Sequence, residues 1–469
     1  MFEMIAKTFM GLEEILAKEL TDLGAQDVQQ GCRMVNFKGD KELMYRANFA
    51  CRTAIRILKP IKHFKAHNAD QVYDAIKEVD WSEYIHDGMT FTVDSIVYSE
   101  SFSNSRFITY KVKDAIVDQF REKTGKRPGI SVATPDIRLN IHISGDDATL
   151  SLDSSGESLH HRGYRQEQVE APLNEVLAAG MIMMTGWKGD TDFIDPMCGS
   201  GTLPIEAALI ALNIAPGVFR KSFAFEKWDD FDQDLFDEIY NDDSKEREFT
   251  HHVYGYDIDF KAVNMATNNV KAAGLSQHIT IQQQDFKDMN TAPTPCLVVT
   301  NPPYGERIST PNLLETYKMI GNRFKNVFKG SEAWVLSYKE ECFHAIGLKP
   351  SMKVALYNGS LECEFRKYMM FDGNFKDFRE EGGTVKTEEE KKRMSEKRRT
   401  WKKRDYDREQ EDRVNNEEAD ILSFRFKSLE KQRENRHNRR ERDDRESRED
   451  RRNDRKKFFG KKHDGDYRR

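Results

Sequence analysis

The spacing of hydrophobic and polar positions along this chain changes near residue 175. Before that point, segments with apolar residues at helical spacing, such as 11–23 and 104–125, are mixed with segments that alternate residue by residue, such as 136–156. This irregular mixture predicts an α+β region at the start of the chain.

Beyond residue 175, single strands and single helices alternate. Apolar strand-like runs lie at 192–197, 252–258, 279–285, 295–301 and 332–338. A regular alternation of strand and helix predicts a parallel sheet with helices on both faces. Two further apolar runs, joined at Asn358-Gly359, predict an antiparallel hairpin at the edge of that sheet.

Length and cysteine usage limit the class of protein. With 469 residues the chain is too long for one core, so two or three domains are expected. It has no run of about 18 apolar residues, and its first 20 residues carry acids where a signal peptide carries bases. The six cysteines show no C-x-x-C pair or metal-like spacing. We therefore expect a cytoplasmic protein without membrane segment, metal site or disulfides.

The formal charge of −6 is divided unevenly along the chain. From Lys376 onward the chain has about 33 Lys and Arg and about 26 Asp and Glu. This part therefore carries a formal charge of roughly +7, and the rest of the chain carries roughly −13. Because it has few aliphatic residues, residues 374–469 are predicted to be a disordered charged tail. The tail is either a solvated segment without a specific role or a nucleic-acid contact. Trp401, Tyr406 and Phe458-Phe459, interleaved with basic clusters, favour the second reading.

Four successive strand ends of the second region carry residues suited to a ligand, which binds beyond the carboxyl ends of parallel strands. The first is "DPMCGSGTL", with Asp195, two turn-forming glycines (Gly199 and Gly201) and Thr202. Glycine turns after strands are also common without a ligand. Because Pro204 replaces the third glycine of a G-x-G-x-x-G loop, the turn suits a sugar and an amino acid better than a pyrophosphate.

The second and third strand ends are acidic. Asp257 can accept hydrogen bonds from both hydroxyls of a ribose, or it can cap the following helix in competition with Asp259. Asp285 can accept from an adenine amino group, and Phe286 can lie against the adenine ring.

The fourth strand ends in Asn301-Pro302-Pro303-Tyr304. Neither proline can donate a backbone hydrogen bond and each fixes its φ, so the chain must leave the sheet in a rigid corner. An amide, carbonyls and an aromatic ring at such a corner suit a flat group that bears an amino group. Cys296 lies within the preceding strand and is expected to pack in the core rather than to act as a nucleophilic thiolate.

Taken in order, "DPMCGSGT", "DID", "DF" and "NPPYG" resemble the motifs of class I S-adenosylmethionine-dependent methyltransferases that modify exocyclic amino groups. The segments "HHRGYR" and "APLNEVLAAG", within residues 160–180, resemble the stretch that precedes those motifs. The chain is most similar to THUMP-domain RNA methyltransferases, especially the guanine-N(2) enzymes of large-subunit (23S) ribosomal RNA. The resemblance covers about residues 1–373.

This resemblance implies a fold and a domain order. It implies a ferredoxin-like domain at 1–44, a THUMP RNA-binding domain at 45–155, and a Rossmann-like α/β methyltransferase domain at 156–373. Some members of the family carry a second methyltransferase domain where this sequence has its charged tail, so a dual activity is not expected.

The resemblance also implies a cofactor, a substrate and site residues. It implies S-adenosylmethionine as cofactor and 23S ribosomal RNA as partner, with Asn301, Pro302, Pro303 and Tyr304 acting on a guanine 2-amino group. The implied cofactor-binding residues are Arg162, Tyr164, Pro172, Leu173, Asp195, Gly199, Gly201, Thr202, Asp257, Asp285 and Phe286.

Other functions share parts of this pattern. A tRNA guanine-N(2) methyltransferase would carry every motif. The Asn-Pro-Pro-Tyr corner also serves adenine-6-amino DNA methyltransferases and protein-glutamine methyltransferases, but the first 150 residues resemble THUMP and argue against both. A non-catalytic RNA-binding ribosome assembly factor could retain the same fold.

Overall fold

The computed structural model describes residues 1–102, 104–170, 172–305 and 312–371. The charged tail at 374–469, predicted to be disordered, lies outside the described residues. Within the described ranges, every helix is too short or too polar to cross a membrane.

The first 153 residues build one eight-stranded sheet with helices packed on it. Its strands are β1 (Phe2–Lys7), β2 (Gln26–Gly31), β3 (Met34–Gly39), β4 (Arg56–Lys65), β5 (Thr90–Tyr98), β6 (Gly129–Ile130), β7 (Ile137–Ser144) and β8 (Asp147–Asp153). Its helices are α1 (Glu13–Asp22), α2 (Lys41–Ala50), α3 (Ala69–Lys77) and α4 (Ser105–Thr124), with a short 3₁₀ turn at Trp81–Glu83.

The strand order of this sheet is β2-β3-β1-β4-β8-β7-β5-β6. The long strand β4 pairs with β1 on one side and with β8 on the other, both antiparallel. The predicted domain boundary at residues 44–45 falls within α2, and the strands before and after it belong to one continuous sheet. The segment 136–156, which alternates residue by residue, forms the antiparallel pair β7 and β8.

Local sequence explains the helices of this region. Asn68 and Asn104 cap α3 and α4, because their side-chain oxygens accept backbone N–H groups of the first turns. Helix α4 ends at Gly125, whose φ of +70° is the left-handed conformation that glycine tolerates best. On α4, Val112 and Ile116 lie four residues apart and are buried in the core beneath the sheet.

The second region is an α/β domain, as the alternation predicts. Its strands are β9 (Asp192–Asp195), β10 (Val253–Asp257), β11 (Ile279–Gln283), β12 (Cys296–Thr300), β13 (Glu332–Ser337), β14 (Met352–Asn358) and β15 (Leu361–Met369). Its helices are α5 (Glu175–Thr185), α6 (Thr202–Leu212), α7 (Gln233–Tyr240), α8 (Phe260–Ala272), α9 (Leu313–Val327) and α10 (Glu340–Ile346). Single 3₁₀ turns lie at Pro216–Phe219, Ala224–Lys227 and Phe286–Asp288.

The order of the second sheet is β11-β10-β9-β12-β13-β15-β14. Strands β9 to β13 are parallel, and β15 joins β13 in antiparallel orientation. The order reverses between β9 and β12, so the carboxyl ends of β9, β10, β11 and β12 lie side by side at the switch point. The predicted edge hairpin is confirmed as β14 and β15.

Residues 213–250, between α6 and β10, pack against the first region. The ring of Phe225 stacks on Tyr45 of α2 with centroids 4.3 Å apart, and Phe236 of α7 meets Phe49 edge to face. These aromatic side chains complete the core of the first region. Helix α7 in this segment was not predicted from the sequence.

Candidate functional site

A cavity of about 980 Å³ lies at the carboxyl ends of β9, β10, β11 and β12. All four predicted strand ends contribute to its wall, together with the start of α9 and the β14–β15 hairpin. The predicted site residues that line it are Pro172, Leu173, Asp195, Gly199, Thr202, Asp257, Asp285, Phe286, Asn301, Pro302, Pro303 and Tyr304.

Asp257 joins the first two strand ends. Its Oδ2 accepts the backbone N–H of Gly199 at 2.9 Å, and its Oδ1 accepts that of Asp259 at 2.9 Å. Asp259, in turn, caps α8 by accepting the N–H of Lys261 at 2.9 Å. The helix cap considered for Asp257 is therefore Asp259, and the ribose role of Asp257 stays a prediction. Burial raises the pKa of Asp257.

Asp195 ends β9 inside the domain, with 1% of its surface exposed. Its Oδ1 accepts the N–H of Met197 at 3.1 Å. Burial raises the pKa of Asp195 to about 7, because a carboxylate loses hydration that its hydrogen bonds do not replace. This carboxyl is therefore partly protonated at neutral pH.

The third strand end holds Asp285 and Phe286. Lys287 donates to Asp285 through its backbone N–H at 3.0 Å and its Nζ at 2.8 Å. Partial burial opposes ionisation, but these hydrogen bonds lower the pKa of Asp285, so it is charged near neutrality. Phe286 also lines the cavity, but it is only 2% exposed and its ring packs on Phe324 and Phe328.

The fourth strand end turns at Pro302-Pro303 into the cavity wall. The Oδ1 atom of Asn301 is buried and has no hydrogen-bond partner among the residues that the structure describes. The phenol oxygen of Tyr304 accepts a hydrogen bond from the side-chain amide of Asn358. This corner therefore presents one buried acceptor and one anchored ring.

Two residues that the resemblance places in the cofactor pocket lie elsewhere. Arg162 is 2% exposed and donates to the carbonyl oxygens of Leu159 and Arg52. The hydroxyl of Tyr164 donates to Glu206 at 2.9 Å, and Arg162 pairs with the same carboxylate at 3.5 Å. Because both side chains compensate a buried glutamate, they point into the core and not into the cavity.

Gly201 also lies outside the cavity wall. Its φ is +86°, and a Cβ there would stand 3.1 Å from the Cβ of Ala266 on α8. This glycine therefore allows close packing of the turn on α8, whereas Gly199, with φ +53°, faces the cavity.

Sequence reasoning missed Arg165, which braces the glycine turn. Its guanidinium donates to Ser200 Oγ at 3.1 Å and Thr202 Oγ1 at 2.9 Å. It also donates to the carbonyl of Leu173 at 3.1 Å and to Glu175 at 2.8 Å. The final Arg of "HHRGYR" was the available signal, but its partners up to 37 residues away could not be read from spacing.

Cys296 is confirmed as a core residue. It is buried in β12, and burial raises the pKa of its thiol to about 12, so the thiolate is rare near neutral pH.

Three family models match consecutive parts of the chain. The RlmL ferredoxin-like domain matches residues 3–58, the THUMP domain matches 66–153, and the RMKL-like methyltransferase domain matches 162–367. A Synechocystis protein named "Putative RNA methyltransferase slr0064" is 38% identical over 364 residues, which are 77% of this chain and 95% of that protein. The chain belongs to the THUMP-containing family of RMKL-like class I methyltransferases.

Further similar proteins agree with the family assignment. "Ribosomal RNA large subunit methyltransferase K/L" of Syntrophotalea carbinolica is 40% identical over 379 residues, covering 78% of this chain and 53% of that protein. The chain thus spans about half the length of this relative. A solved structure described as "SMU.472, a putative methyltransferase complexed with SAH" is 30% identical, with TM-score 0.71, and covers 80% of this chain and 99% of that one.

The methyl donor of this methyltransferase family is S-adenosylmethionine, and the cavity fits it. A volume of about 980 Å³ is near the upper end of the roughly 300–1,000 Å³ typical of ligand sites. The wall combines the carboxylates of Asp257 and Asp285 with the exposed apolar side chain of Ile258. Hydroxyl and amino groups can bind such carboxylates, and a flat base can cover such an apolar side chain.

Proposed function

We propose that this methyltransferase transfers a methyl group to the exocyclic 2-amino group of a guanine in 23S ribosomal RNA. The observation that carries the proposal is the Oδ1 of Asn301, which is buried in the cavity wall and has no hydrogen-bond partner among the described residues. A buried acceptor without a partner costs about 1–3 kcal/mol. A ligand N–H at this point would remove that cost, and the amino group of a base is such a donor.

The corner suits the chemistry of an aromatic amino group. The 2-amino nitrogen of guanine is a poor nucleophile because its lone pair is delocalised into the ring. Asn301 Oδ1 and the Pro302 carbonyl would accept its two N–H groups and favour the pyramidal geometry that attacks a methyl group. S-adenosylmethionine would supply that methyl group from its sulfonium, which leaves as a neutral thioether, and the methylated amino group would release one proton to water. Alignment can therefore provide most of the acceleration.

Tyr304 would hold the acceptor base by stacking. A base inside an RNA helix cannot reach a cavity at the end of a sheet, so it must leave its stack. An aromatic ring at the cavity wall replaces part of the stacking energy, worth about 1–3 kcal/mol per base.

The cofactor would bind at the first three strand ends. Asp257 would accept from the ribose hydroxyls and Asp285 from the adenine amino group, while Ile258 would lie against the adenine. Gly199 and Thr202, in the turn braced by Arg165, would pass close to the amino-acid part. Pro172 and Leu173 would close the cavity from the other side.

The first region would bring the RNA to this site. We propose that 1–44 and 45–155 act as the ferredoxin-like and THUMP domains and 156–373 as the catalytic domain, in the cytoplasm. The name of the Syntrophotalea carbinolica relative supports large-subunit ribosomal RNA as the substrate. Because residues before Lys376 carry roughly −13, the charged tail would supply much of the attraction for phosphates.

Nucleoside mass spectrometry of a deletion strain tests the proposal. The expected result is the loss of one N(2)-methylguanosine from 23S ribosomal RNA, restored by the wild-type gene and not by Asn301→Ala. Loss from tRNA instead would support the tRNA methyltransferase. An unchanged set of modified nucleosides in both RNAs would support a non-catalytic assembly factor.

A further inference from the structure

The ring of Tyr304 is held by a residue far away in the sequence. The Nδ2 of Asn358 donates a hydrogen bond to the phenol oxygen of Tyr304, across 54 positions of the chain. Both residues line the cavity. Asn358 belongs to none of the four strand ends that carry the expected site residues.

Asn358 is fixed by the sheet. It is the last residue of β14, and it pairs directly with Leu361, the first residue of β15. The two-residue loop between them begins at Gly359, whose φ of +65° is the conformation required at that position of a tight hairpin. Strand β15 is paired in turn with β13 along six residues. The amide therefore reaches Tyr304 from a rigid support.

A second contact restricts the same ring. Tyr338, which directly follows β13, meets Tyr304 edge to face with centroids 5.5 Å apart and planes at 80°. The ring of Tyr304 is thus limited by Tyr338 at its side and by Asn358 at its hydroxyl. A stacking platform is effective only when its plane is fixed, because a reacting base must be aligned to within a fraction of an ångström.

We propose that Asn358 is a positioning residue that fixes the ring of Tyr304 for the methyl-acceptor base. This inference rests on the proposed function, in which Tyr304 stacks on that base. Asn358 acts on the acceptor side of the cavity, so its loss should weaken methyl transfer and leave the affinity for S-adenosylmethionine unchanged.

The size of the effect follows from a single hydrogen bond. A net contribution of about 0.5–1.5 kcal/mol corresponds to a loss of about two- to twelvefold in kcat/KM for Asn358→Ala. Tyr304→Phe removes the other partner of the same bond and should cause at least as large a loss. The double variant should be no worse than Tyr304→Phe alone, since the bond can be lost only once.

The test combines this double-mutant cycle with fluorine NMR of protein labelled with 3-fluorotyrosine. Tyr304→Phe identifies the Tyr304 resonance by its disappearance. Asn358→Ala should shift or broaden that resonance. Glu362→Ala, an exposed position on the same hairpin, should leave both the resonance and the transfer rate unchanged. Calorimetry with S-adenosylmethionine confirms that each variant retains a folded site.

Three results would overturn the inference: an unchanged Tyr304 resonance in Asn358→Ala, full transfer activity in that variant, or losses that add in the double variant. The proposed function fails separately, if the wild-type protein does not methylate 23S ribosomal RNA. In that case the spectra still decide whether Asn358 fixes the ring.

Discussion

The carboxylate of Asp257 accepts the backbone N–H of Gly199 at 2.9 Å, which ties the end of β10 to the glycine turn after β9. One residue thereby shapes the turn and presents its charge to the cavity. The two strand ends that would hold the ribose and the amino-acid part of the cofactor are joined by this bond.

Replacing Asp257 by Ala should weaken the binding of S-adenosylmethionine by on the order of 1.5–3 kcal/mol, because both the ligand hydroxyls and the Gly199 N–H lose an acceptor. Titration calorimetry measures the change. Asp243→Ala, at an exposed position in the segment before β10, is the matched control and should bind normally. Unchanged affinity in Asp257→Ala would remove this residue from the site.

Asp195 should make the protein less stable as pH rises. Burial raises its pKa from 3.8 unfolded to about 7 folded, so the folded state holds an extra proton between these values and the free energy of unfolding falls with increasing pH. The full effect is on the order of 4 kcal/mol.

Asp195→Asn should flatten this part of the pH dependence, since Asn cannot titrate but can still accept from Met197. Urea unfolding of both proteins from pH 4 to pH 8 measures the difference. Parallel curves would show that Asp195 does not titrate as its burial implies.

Local patterns predicted much of this fold. Turn residues and hydrophobic periodicity act over a few positions of the chain. They therefore predicted the Asn358-Gly359 hairpin, the alternation of strands and helices after residue 175, and the four strand ends. Parallel strands then bring their carboxyl ends together, which is why Asp195, Asp257 and Asn301 meet in one cavity.

The contacts between distant segments could not be predicted in this way. Nothing local shows that Arg162 and Tyr164 compensate the buried Glu206, or that Asn358 reaches Tyr304. The continuous first sheet, joined through β4, likewise depends on pairing between strands far apart in sequence.

Arg165→Ala should impair both stability and cofactor binding. It leaves Glu175, whose side chain is largely buried, without its ion-pair partner, which typically costs about 3–5 kcal/mol. It also removes the guanidinium that donates hydrogen bonds to the hydroxyls of Ser200 and Thr202, so the glycine turn loses this support.

Adding Glu175→Gln to Arg165→Ala separates these two effects. Because it removes the unpaired charge, it should recover part of the unfolding free energy but none of the affinity for S-adenosylmethionine. Recovery of affinity as well would mean that Arg165 acts only through the stability of the domain.

Removing the tail from Lys376 onward should flatten the dependence of log K for RNA on log salt, because its basic clusters release counterions from phosphates. The change should be smaller than about 33 independent positive charges would give, since acids are interleaved with them. Binding across a salt series measures the slopes. Identical slopes would leave the tail without a role in RNA affinity, and a changed modification site would show that it selects the target.

The most direct test of the central claim is methyl transfer in vitro by wild-type protein and Asn301→Ala. Undermethylated 23S ribosomal RNA from the deletion strain is incubated with S-adenosylmethionine, digested and analysed by mass spectrometry. We predict N(2)-methylguanosine at one guanine with wild-type protein and none with Asn301→Ala, while the two proteins bind S-adenosylmethionine within roughly twofold of each other. Methylation of another atom, or a wild-type rate in Asn301→Ala, would contradict the account.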